Sequence, residues 1–187
     1  MTENEELLRR VAAAAPGVHP WTGKPRPRPA TADDVAAAEA TLGFPLPPLL
    51  TALYTRVADG RFGPDYGLLP LGQAVSCYDA YRSSGRGEDA EWPWPEGVVP
   101  IADLGCAMLA CVDCRSDTAA MLLFDPNPGE VEYAWYVLAP GLAAWLTDWL
   151  EGTGWFDEEE GFEGDRPHWP GFRARALTGI RTSDAPA

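Results

Sequence analysis

Histidine is almost absent from this chain: His19 and His168 are the only two in 187 residues, far apart and each in a proline-rich context. That scarcity argues against a His-based nucleophilic triad. The sequence also contains no G-x-S-x-G, no phosphate loop, no G-x-G-x-x-G and no H-E-x-x-H, so none of the common hydrolase, nucleotide or zinc-protease signatures is present. No apolar run approaches the ~18 residues that a membrane-spanning helix needs. Positive charge is scarce where the apolar patterns are densest, with Arg115 the one base between Cys106 and Gly152. The N-terminus, MTENEELLRR, sets acids before bases and is followed by only a short alanine run. It makes a poor secretion signal, and a cytoplasmic protein is expected.

What is present is acidity. The formal net charge is −14. Residues 1–30 carry a net +2, residues 31–105 a net −7, residues 106–152 a net −6 and the remainder −3. Such a field repels nucleic acid and draws in basic partners. Acidity can also serve solubility alone. The hydrophobic content of 46% and aromatic content of 11% indicate a folded globule rather than a disordered chain. The length suits one domain with tails.

Local patterning divides the chain into three parts. In residues 1–30, Leu7, Leu8 and Val11 predict a short helix over 5–15, followed by a proline-rich strap over 16–29 that should run extended. In residues 31–152, Thr31 is a helix cap with Asp34 behind it; Val35, Ala38 and Leu42 recur at helical spacing, and Gly43 stops the helix. Pro47 and Pro48 suit the first turn of a second helix whose apolar face is Leu50, Leu53, Tyr54 and Val57. A brief helix is predicted over 74–81. Strands are predicted over 107–112 and 119–124, and over 131–138, where Val131, Tyr133, Trp135 and Val137 alternate with their neighbours. Asp125-Pro126-Asn127-Pro128-Gly129 is a turn, and Leu142, Trp145, Leu146 and Trp149 form the inner face of a closing helix. Residues 153–187 combine an acidic run with Trp155, Phe156, Phe162, Trp169 and Phe172, a composition expected to dock in part. The expected fold class is α+β, a mostly antiparallel mixed sheet with helices packed on one face.

Few residues suggest chemistry. Cys106, Cys111 and Cys114 form C-x4-C-x2-C, with Cys77 as a conceivable fourth thiolate. Zinc sites favour close pairs on turns, and here Cys111 falls within a strand, so core thiols and no metal are expected. Asp113 with Asp117, and Glu130 with Glu132, read as solvated surface carboxylates rather than acid–base pairs. Trp94 is expected to cover the sheet edge. No catalytic residue and no cofactor is nominated.

The segment AEATLGFPLPPLLTALY, followed by Ala58-Asp59-Gly60, resembles the signature of the SUKH superfamily, which groups fungal Smi/Knr cell-wall regulators with bacterial immunity proteins. Gly67-Leu68-Leu69-Pro70-Leu71 is similar to that family's first strand, and Trp94 to Ala102 to its W-P-x-G-x-V-P-I-A entry. The closing helix resembles its WLxxWL-like pattern. The resemblance spans roughly residues 31–152. It implies a non-enzymatic binding protein: an immunity protein that neutralises a polymorphic toxin of nuclease or deaminase type by direct contact, or alternatively an intracellular scaffold or regulatory hub. The family offers no fixed contact motif. Charge and expected exposure nominate Asp157, Glu158, Glu159, Glu160 and Glu163, with Glu88, Asp89, Glu91 and Trp92, as contacts to a basic protein partner. An uncovered sheet edge would permit a dimer, although no residue marks one.

Overall fold

The computed structural model describes residues 2–19, 22–64, 66–84, 93–153 and 167–177. The chain runs through α1 (Glu3–Ala14), α2 (Ala32–Leu42), α3 (Pro48–Arg56) and α4 (Leu71–Ser84) before entering a sheet. The sheet is β1 (Val98–Gly105), β2 (Met108–Asp113), β3 (Met121–Phe124) and β4 (Trp135–Ala139), followed by α5 (Leu142–Glu151) and α6 (Phe172–Leu177). Strand order is β1-β2-β3-β4. Every pairing in it is antiparallel, so the α+β class holds with a simple meander in place of a mixed sheet. Such a meander needs only short turns between neighbouring strands.

The helical hairpin forms for the reasons its sequence gives. Thr31 and Asp34 make a reciprocal capping box: the Asp34 amide donates to Thr31 Oγ1 at 3.1 Å, and the Thr31 amide donates to Asp34 Oδ2 at 2.8 Å. Two otherwise unpaired amides are thereby satisfied. Gly43 closes α2 in the left-handed region at φ 81°, where a Cβ would be strained. α3 begins at Pro48 and buries Leu49, Leu50, Leu53 and Tyr54. The Tyr54 hydroxyl donates to the Leu69 carbonyl at 2.9 Å. Burial holds that phenol protonated, far above its ordinary range.

All residues of β2 and β3 are buried. Successive strand residues point to opposite faces, so both faces of these central strands are covered. Trp94 does not guard an edge. It stacks on Tyr81 of α4 with centroids 4.2 Å apart, meets Phe124 and Trp135 at 5.1 and 4.9 Å, and donates its indole N–H to the Val98 carbonyl at 2.7 Å. It therefore lies inside an aromatic cluster that joins α4 to β3 and β4.

Three segments depart from the sequence reading. Residues 131–133 form a 3₁₀ turn rather than the start of a strand. The Asp125 amide bonds to the Ala134 carbonyl at 2.8 Å and closes the loop, so pairing resumes only at Trp135, opposite Phe124. The segment Gly67–Leu71 reduces to a single bridge, Leu68 with Ala102. Pro70 has no amide to extend a ladder, and its carbonyl instead accepts from Gln73 and Ala74 to start α4, which runs longer than expected. The proline-rich strap folds back on itself through a Val18–Pro25 bridge, held by His19 and Lys24 backbone pairing at 2.8 Å. Arg26 then donates to the Ala15 carbonyl at 3.0 Å, satisfying the end of α1.

The far edge of the sheet carries a further segment. The Val137 amide donates to the Pro167 carbonyl and the Trp169 amide to the Trp135 carbonyl, each at 2.9 Å. Residues 167–169 thus lie along the outer side of β4, and Phe172 of α6 stacks on Trp135 with centroids 5.9 Å apart.

Candidate binding surfaces

The nucleophilic and metal-ligating side chains are dispersed. Cys111 is buried, Cys77 and Cys114 are half-buried and Cys106 is exposed. Burial pushes the Cys77 and Cys111 thiols up and the Cys114 thiol up to about 12, Asp113 adding to the last. These three remain protonated thiols at neutral pH, poor nucleophiles and poor metal ligands. The His19 ring is 6% exposed. Its Nε2 lies 2.8 Å from the Tyr66 carbonyl, and its Nδ1 accepts from the Thr22 amide at 3.2 Å, a pairing that ties the folded strap to Tyr66. Among the described residues no group of His, Cys, Asp and Glu is arranged to hold a metal ion.

The charged side chains divide unevenly. Arginine is paired: Arg9 with Glu6, Arg10 with Glu151, Arg56 with Glu5 and Arg115 with Glu96 at the surface, and Arg175 with Asp113 further in. Arg82 donates to the Trp94 carbonyl at 2.6 Å. Asp113 departs from the sequence reading: it is 4% exposed, accepts from the Arg115 amide at 3.0 Å and faces Arg175 of α6. It is a buried anchor that holds the start of the exposed turn after β2 through the Arg115 amide.

Other carboxylates face solvent. Exposed Asp103 and Glu130 and half-exposed Asp125 are spread along the end of the sheet where β1 turns into β2 and β3 leaves toward β4, the end that also carries the exposed rings Tyr66 and Tyr133. Asp103 Oδ1 accepts from the Gly105 amide at 2.8 Å, and Asp125 Oδ1 from the Asn127 amide at 2.9 Å. The Asn127 side-chain amide donates to the Cys106 carbonyl at 3.0 Å, pinning the two loops together. The surface is acidic, aromatic at its margins and fixed by its own turns. A partner bearing Arg or Lys would find carboxylates already positioned.

The Phe-Pro-Leu-Pro-Pro link of the hairpin has a different setting. Pro45 to Leu49 form one wall of an open cleft of about 640 Å³, whose other walls are the β2–β3 turn at Ser116–Ala119 and the β4–α5 junction at Pro140–Ala144.

The contact residues nominated from sequence, Asp157, Glu158, Glu159, Glu160, Glu163, Glu88, Asp89, Glu91 and Trp92, lie outside the described residues. The acidic end formed by Asp103, Asp125 and Glu130 was not nominated. Its one signal in the sequence was the Asp-Pro-Asn-Pro-Gly turn, which fixes a loop but does not say which strand end lies beside it.

Comparison with known proteins agrees with the fold. The family model of the SMI1 / KNR4 family (SUKH-1) matches residues 29–148, from just before α2 into α5. No curated protein matches the chain. The matched region contains the hairpin, α4, the four strands and most of α5, while α1 and residues 167–177 lie beyond it. On a match of this extent, the chain belongs to the SMI1 / KNR4 family (SUKH-1).

Proposed function

We propose that this protein is a non-enzymatic binding protein acting as a bacterial immunity protein, one that neutralises a basic toxin domain of nuclease or deaminase type by direct contact. The observation that carries this reading is the division of charge. The arginines of the described domain are largely engaged with its own carboxylates and carbonyls, while Asp103 and Glu130 are exposed and Asp125 half-exposed on a turn-fixed surface. A surface of this kind steers a cationic partner and can occupy a cleft built to hold a polyanion. Membership of the family supports a binding role in preference to catalysis.

The test is affinity capture from the native host at low and then high salt, followed by titration of the captured domain with purified chain. The reading expects one basic toxin domain, released by salt and silenced at a 1:1 ratio. Recovery of several housekeeping proteins with no toxic domain among them would replace it with the regulatory-hub reading.

A further inference from the structure

The outer edge of β4 is completed by residues from beyond the family domain. Three elements of that domain make a receptor: the backbone edge at Trp135 and Val137, the Trp135 ring and the buried Asp113 carboxylate. All three are filled by residues 167–177. The segment enters as a short strand, with Tyr136 bridged to His168 and their rings stacked 4.8 Å apart. It then turns so that Phe172 stacks on Trp135 and Trp169 meets the same ring at 5.9 Å. Arg175 reaches Asp113 while its guanidinium lies 5.8 Å over the Trp169 ring. Trp169, Phe172 and Arg175 are spaced by three.

We propose that the β4 edge, Trp135 and Asp113 form a peptide-binding groove, that residues 167–177 occupy it in cis, and that a partner protein displaces them with a segment of the same chemistry. That chemistry is a short extended stretch leading into a helical turn, with aromatic, aromatic and arginine side chains spaced by three. The seated segment itself reports what the groove accepts. Strand addition supplies sequence-independent backbone bonds, and the side-chain sites supply the selectivity. Asp113 selects for arginine, because a carboxylate this deeply buried needs a cationic partner that can hydrogen-bond to it. Residues 167–169 hold the edge by one bridge made of two backbone bonds, whereas β2 and β3 share four registered pairs. By backbone pairing the segment is thus held less extensively than a central strand, and Phe172 and Arg175 supply most of the rest of its attachment. This inference is independent of the immunity reading, since it concerns a groove and not the identity of a toxin.

The test uses the full-length chain carrying Trp169→Ala, Phe172→Ala and Arg175→Met, checked for folding by circular dichroism, with a labelled synthetic peptide of residues 167–177. Binding is expected at least tenfold tighter to this variant than to the wild type, and at least tenfold weaker when the peptide carries Arg175→Glu. A folded variant that leaves the peptide unbound, or that binds both peptides alike, overturns the proposal. A concentration-dependent wild-type dimer that the triple variant abolishes would give the groove to a second copy and overturns it equally. Hydrogen exchange on the wild type supplies a readout that does not depend on the variant. The Val137 and Trp169 amides are expected to exchange at least tenfold faster than those of the β2–β3 ladder; equal protection would make the segment an inseparable part of the sheet.

Discussion

A single residue, Asp113, shows how burial changes what a carboxylate does. Its side chain is 5% exposed and that of Arg175 is 24% exposed. Removing the cation strands a buried charge, while removing the carboxylate leaves a guanidinium that can rehydrate. Arg175→Met should therefore lower unfolding free energy in urea by about 2–3 kcal/mol, below the ~3–5 kcal/mol of a fully buried pair because Arg175 is partly wet. Adding Asp113→Asn should recover part of that loss; strict additivity would mean that the two groups are not coupled. The thiols give a second residue-scale prediction. Cys114 has an ordinary value of 9.0, pushed up to about 12 by burial and by Asp113. Well below pH 9 neither the folded nor the unfolded chain ionises this thiol appreciably, so its contribution to stability is intact. Between pH 9 and about 12 the unfolded chain loses its proton first, and stability falls. The urea midpoint should drop from pH 8 to pH 10.5, and Cys114→Ala should remove part of that drop. At pH 8, a thiol reagent should modify exposed Cys106 well before Cys111 or Cys114.

At the scale of elements, the turn Ala58-Asp59-Gly60 explains why the hairpin signature extends past α3. Gly60 sits at φ 77°, and a Cβ there would lie 2.6 Å from the Pro70 nitrogen and 2.7 Å from the Leu68 carbonyl. Asp59 Oδ1 accepts from the Leu71 amide at 2.7 Å, so the same turn starts α4. Gly60→Ala must shift backbone rather than a flexible side chain and should cost about 2–4 kcal/mol, read from denaturant unfolding; a change under about 1 kcal/mol would show that the turn relaxes freely. Such elements were legible because their causes are local. The Thr31 cap, the Gly43 stop, the paired prolines and the period of Leu142, Trp145 and Leu146 each act within a few residues. The misread elements turned on partners distant in sequence. Tyr133 alternates like a strand residue, yet the Asp125–Ala134 bond closes its loop before a strand can form. Asp113 reads as surface because Arg175 is 62 positions away. The acidic sheet end stayed hidden for the same reason, since Asp103 and Glu130 share one end of the sheet only through strand order.

Over the whole molecule, the formal charge of −14 sets a field larger than any one contact, and its effect belongs to encounter rather than to holding. Solvent-exposed charges are screened beyond about 8 Å at physiological salt, so their main work is to orient an approaching cation. Neutralising the sheet end with Asp103→Asn, Asp125→Asn and Glu130→Gln keeps the shape of each side chain and removes three charges. Asn at 103 and 125 retains an oxygen able to accept from Gly105 and Asn127. Against a basic partner domain, the association rate should fall by about three- to tenfold at low salt and converge with the wild type near 0.5 M, where screening removes the steering term. The dissociation rate should move much less if these groups act through the field. A dominant rise in dissociation would instead place them within desolvated contacts, and unchanged rates at low salt would move the contact surface away from this end of the sheet.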